Sequence, residues 1–178
     1  MNTMSIAYLA GGLVGILIGL VLVAILIRYV RTDKKIKAKY DERQELIRGR
    51  GFKYAFYTSL VYFGLLTITM LGLTEIVPIP SGVLTFFGVC LSVLVYAGYC
   101  IWHEAYFALN ENPKRVMIAF SVIGVCNVII GLSNLHKVTS LQSADATPGL
   151  INLTCAVLFV GIFLILLVKH IANRRRKE

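Results

Sequence analysis

Long, unbroken apolar runs alternate with short polar links along this chain, and the runs are too long and continuous for strands or for the half-buried helices of a water-soluble core. A hydrocarbon layer about 30 Å thick is crossed by about 20 helical residues. Five runs reach that length, at residues 6–29, 54–73, 82–102, 116–133 and 150–171. None alternates outward and inward residues as a barrel strand does. The pattern therefore predicts an all-α polytopic membrane protein: five transmembrane helices in a single integral domain over residues 1–178, with a basic juxtamembrane segment at 30–53.

Composition agrees, since a chain that is 57% hydrophobic and 15% charged lies far outside the range of soluble domains. Charge adds direction. Seventeen of the eighteen lysines and arginines fall in three segments: Arg28 to Lys53, Lys114-Arg115, and Lys169 to Lys177. Basic residues are retained on the cytoplasmic side during insertion, so with five spans the N-terminus is expected outside and the C-terminus inside. The first run reads as a retained span. Nothing basic precedes it, it is long for a signal-peptide core, and it ends in Arg28-Tyr29-Val30-Arg31 with no cleavage site.

Within the first run Gly11, Gly15 and Gly19 recur every four residues and form a ridge on one helix face. Another helix can approach such a ridge closely, either one of the protein's own, a second protomer or a membrane-protein partner. No Asp, Glu, Lys or Arg lies deep in a run, which speaks against a proton-coupled transporter, though not against a passive pore. Asn127 is the most polar group at depth and is expected to bond across a helix interface. Cys90, Cys100, Cys126 and Cys155 all fall within runs without CxxC spacing and read as small buried hydrophobes. The histidines are scattered. No catalytic, cofactor-binding or metal-ligating set is assigned, and none of the usual hydrolase motifs is present.

The segment from Arg31 to Lys53 holds more than an anchor requires. Six basic residues from Arg28 to Lys39 suffice to fix topology and to attract anionic lipid at the inner face. Ile36, Tyr40 and Ile47 can share one face of a surface helix, Asp33 and Lys37 are placed for an i, i+4 pair, and Gly49 and Gly51 permit a hinge before the second span. Asp41, Glu42 and Glu45, however, dilute the positive charge. Tyr40, Asp41, Glu42, Arg43, Gln44 and Arg48 thus form a candidate interaction motif.

The run Tyr40-Asp41-Glu42-Arg43-Gln44, with Ile47 to Phe56 after it, resembles the DERQ segment of small multi-pass membrane proteins of Gram-positive bacteria. Glu104 to Glu111, which includes Tyr106 and Asn110, is similar to a later segment of that group, where an Asp is expected in place of Glu104. The resemblance covers about a sixth of the chain and implies a bacterial cytoplasmic membrane and an accessory, regulatory or immunity role. It carries no enzymatic activity with it. Both segments fall on the cytoplasmic side of the derived topology, so they are expected to meet. The expected pairings are Asp41, Glu42 and Glu45 with Lys114 and Arg115, and Glu104 and Glu111 with Arg43 or Arg48. The net charge of +9 is accounted for by the inner loops, so direct nucleic-acid binding is not inferred. The function expected is that of a non-enzymatic interaction protein without cofactors, the alternative being a small transporter or pore.

Overall fold

The computed structural model describes residues 40–72, 79–109, 111–136, 138–141 and 143–175, together with the helical positions Val14, Leu17, Ile18, Val21, Ala24, Ile25 and Arg28. Gly11, Gly15, Gly19, the stretch 30–39 and Asn110 lie outside the described residues. Four complete helices are seen: α1 (Glu42–Gly72), α2 (Ser81–Trp102), α3 (Pro113–Leu135) and α4 (Thr147–Arg175), with a 3-10 turn at Ala144–Ala146 before α4. All four are long and apolar enough to cross a membrane.

Three of these helices keep to the apolar runs, extended by a turn or less at most ends. The fourth departs from expectation. α1 begins twelve residues before the apolar run that starts at Tyr54, so the anticipated hinge at Gly49 and Gly51 is absent and one continuous helix of 31 residues takes its place. At 1.5 Å per residue that is about 46 Å, well beyond a hydrocarbon layer of about 30 Å. Its first twelve residues carry Glu42, Arg43, Glu45, Arg48, Arg50 and Lys53. The glycines cost helix propensity, but Gly51 lets α2 come close: a Cβ there would stand 3.1 Å from Cys100 Sγ and from the Tyr96 ring.

The helices form a row in the order α1, α2, α4, α3, each principal contact being with the next in the row. α1 and α2 run antiparallel. Ser59 Oγ and Ser92 Oγ share a hydrogen bond of 2.7 Å, Tyr62 Oη donates to Leu84 O at 2.8 Å, and the rings of Phe52 and Tyr96 stand 4.4 Å apart. The Tyr62 ring lies directly on Gly88, where a Cβ would overlap it. α2 and α4 run parallel, Leu94 meeting Gly161 and Ile165 meeting Gly98, around a core of Ala97, Ile101, Ile162 and Leu166. α3 returns antiparallel to α4, with Leu153 against Gly131 and Leu135 against Gly149. Small residues at each crossing suit a medium in which van der Waals packing holds helices together.

Polar side chains in the runs bond mostly to carbonyls of their own helix, which gives each a partner where water is absent. Asn127 corrects an expectation on this point. Its amide donates to Ile123 O at 2.8 Å, one turn back in α3, instead of bridging to another helix. Thr58, Thr67, Thr85 and Thr154 do the same with the carbonyls four residues before them. Of the four free cysteines Cys90 and Cys100 are buried and Cys155 is half-buried, while Cys126 is exposed on α3.

Candidate functional site

The row brings together, at one end, the start of α1, the end of α2, the start of α3 and the end of α4. The sequence Asp41-Glu42-Arg43-Gln44 sets the start of α1 by a reciprocal cap. The Asp41 carboxylate accepts from Gln44 N at 2.6 Å, and Gln44 Oε1 accepts from Asp41 N at 3.2 Å. An N-cap acid with Gln three residues on satisfies two of the amide groups that a helix N-terminus leaves open. This uses only the oxygen of the Gln44 side chain. Its Nε2 donates to Glu104 O and Phe107 O, both at 3.2 Å, so one side chain caps α1 and fastens it to the α2–α3 loop. Gln44 is only 6% exposed, so loss of either bond would leave a buried polar group open. Arg43 adds a longer bond from Nη2 to His103 O, at 3.4 Å.

The loop presents these carbonyls because of how α2 ends. Glu104 N–H bonds to Ile101 O at 3.2 Å and Ala105 N–H to Cys100 O at 2.8 Å, with Glu104 at φ 62° between them. That is a Schellman ending with a glutamate at the left-handed position that glycine usually fills. The backbone cost of a non-glycine residue there is about 1–2 kcal/mol. Buried Ala105 and Cys100 close the turn, and the Glu104 side chain reaches Lys169 of α4 at 3.3 Å. Lys169 Nζ also donates to Trp102 O at 2.9 Å and lies 5.7 Å from the Trp102 ring, so α4 is tied to the same turn. Farther along, Glu111 accepts from Ala108 N at 3.1 Å.

Aromatic and cationic groups fill the space around this clip. The Arg48 guanidinium lies 4.0 Å over the Tyr40 ring and 5.9 Å from Tyr96. Tyr106 is half-buried against the α2–α4 core and meets Phe107 edge-on at 5.1 Å. Burial pushes its phenol well above the ordinary tyrosine value, and the Glu111 carboxylate adds to the shift. Between the loop and α4 lies a cavity of about 260 Å³, lined among others by Tyr106, Phe107, Met117, Leu166, Lys169 and His170.

The two segments singled out in the sequence therefore touch, but not through the pairs expected. Arg43 reaches a main-chain carbonyl, not the Glu104 carboxylate; Lys169 takes that carboxylate. Arg48 stacks on Tyr40 instead of pairing with Glu111, whose carboxylate caps its own loop. Asp41 is engaged in the N-cap, and Glu42 and Glu45 are exposed. Lys169 was missed because it reads as one more topology charge. Gln44 was expected as an interaction residue, not as a cap, and Tyr40, expected to share a helix face with Ile47, lies before the helix, which starts at Glu42. Asn110 lies outside the described residues, and among the described residues no group of three or more His, Cys, Asp and Glu side chains is placed to hold a metal ion. What the site offers outward is a firmly held polar and apolar surface, with Arg43, His103, Glu104 and Leu109 exposed on it.

No family model, no curated protein and no solved structure matches the chain.

Proposed function

We propose that the chain is a non-enzymatic multi-pass protein of a bacterial cytoplasmic membrane that acts by binding a partner protein at its cytoplasmic face. The observation that carries this reading is the Gln44 clip: a buried amide holding two loop carbonyls and the α1 cap at once. Such a device rigidifies a surface, and a rigid surface loses less entropy when a partner docks. Exposed Arg43, His103, Glu104 and Leu109 offer both charge and apolar area there. Orientation with this end inside is supported by the gathering of every described lysine and arginine of α1, α3 and α4 at it, α2 having none. The fifth span is the first apolar run, and the DERQ resemblance supports the accessory, regulatory or immunity role.

Photo-crosslinking in native membranes tests the reading. A benzophenone side chain at Leu109 is expected to give one discrete protein adduct, and the same group at Val122, exposed midway along α3, none. Equal labelling at both positions, or solute flux through purified protein in liposomes without any adduct, overturns it.

A further inference from the structure

Among the described residues nothing packs on the side of α1 that faces away from α2. Glu42, Glu45, Leu46, Lys53, Leu60 and Leu71 recur on it at helical spacing and all are exposed, whereas Gln44, Ile47 and Gly51 on the opposite side are buried. Gly49 and Gly64 lie on the open side, and a Cβ at either would have nothing within 4 Å. The face changes character along its length. Acids come first, then Leu46, then Arg50 and Lys53, and from Phe56 onward it is apolar apart from Thr67.

We propose that this face seats the chain's own first apolar run, residues 6–29 with its polar extension to Lys37, folded back on α1 as an antiparallel helical hairpin. The proposal goes beyond the partner-binding reading, which uses the loop side, and rests only on the chain spanning a membrane. Three considerations set the register, and they agree within about one helical turn, 5.4 Å. The first is the tether. Arg28 is helical and Asp41 caps α1, so a turn of about two to five residues before Asp41 brings Lys37 beside the first turn of α1. Charge is the second. Setting Lys37 against Glu45 sets Ile36 against Leu46 and Asp33 against Arg50, so two pairs of opposite charge meet. The third is depth: Arg28 and Lys53 end the two apolar runs at one membrane surface. In that register Gly19, Gly15 and Gly11 fall opposite Gly64, Thr67 and Leu71, small residues against the open side of α1.

Val14, Leu17, Ile18, Val21 and Ile25 are the large apolar positions described in the first run and all are exposed, and the helical period sets the three glycines roughly a quarter to a half turn from their mean direction. A second copy is a poorer occupant. Two copies related by an axis along the membrane normal run parallel, which would set Glu42 and Glu45 against themselves and Arg50 and Lys53 likewise.

Cysteine pairs in native membranes decide the matter, with Cys90, Cys100, Cys126 and Cys155 replaced by alanine. Gly19→Cys with Gly64→Cys is expected to oxidise to an internal disulfide, seen as a reductant-sensitive shift of the monomer band, and Ile18→Cys with Gly64→Cys is not. A disulfide-linked dimer, a bond from Ile18 instead of Gly19, or no bond from either pair overturns the proposal. A charge swap in the native-cysteine chain gives an independent reading. Lys37→Glu and Glu45→Lys should each lower the melting temperature in detergent and the double variant should recover it; additive losses overturn the hairpin. Carbonate extraction of the unaltered protein tests the membrane reading separately, because release from the membrane would sink that reading whatever the cross-links show.

Discussion

Gln44 is the residue on which the polar end depends, because its two donors and one acceptor serve three different main-chain groups. Gln44→Leu fills the same space but leaves Asp41 N–H, Glu104 O and Phe107 O without their partner. The expected loss is about 2–4 kcal/mol, read as a lower unfolding midpoint in detergent. Arg43→Ala should cost less than about 0.5 kcal/mol, since its single bond is long and exposed. Tyr106 gives a pH test. Its folded pKa is raised above the unfolded value of about 10, so its contribution is fully present below that pH and is lost as the pH climbs toward the folded value. Tyr106→Phe keeps the ring and removes the titration. The difference in stability between the two proteins should be flat through neutral pH and should change only above about pH 10; a difference that moves between pH 6 and 9 would refute the assignment.

Between elements, glycines set how near the helices stand. Gly88→Ala puts a methyl group into the Tyr62 ring, so α1 and α2 must separate or Tyr62 must give up its bond to Leu84 O; the expected cost is about 1–3 kcal/mol. Gly82, at the start of the same helix, has nothing within 4 Å, and Gly82→Ala should be neutral or stabilising by up to about 1 kcal/mol. Thermal melts of the two variants in one detergent make the comparison. The existence of α1 to α4 was legible because apolar runs stand out between charges and prolines, while α3 and α4 each run two to four residues past both expected ends. The unbroken passage of α1 through Gly49 and Gly51 was not, since two glycines in a charged stretch read as a breaker until Cys100 and Tyr96 are seen against them. Glu104 likewise gave no sign of its left-handed backbone, because the residue that advertises that conformation is glycine.

For the molecule as a whole, the row α1, α2, α4, α3 could not be read from the sequence. Helices that are apolar all round carry no stripe that names their neighbours. The described lysines and arginines of α1, α3 and α4, by contrast, gather at one end, and they make a topological prediction. With the native cysteines replaced by alanine, cysteines introduced at Leu109 and Ser140 should react with an impermeant maleimide from opposite sides of sealed vesicles; labelling from the same side would overturn the proposed orientation.

The clip has one more consequence. Gln44 and Arg43 grip the loop by the carbonyl oxygens of His103, Glu104 and Phe107, never by a side chain. The joint is thus indifferent to which amino acids the loop displays, provided its backbone keeps its shape. The exposed positions His103 and Leu109 can therefore vary without loosening the clip, whereas Glu104, Ala105 and Tyr106 are held by contacts of their own.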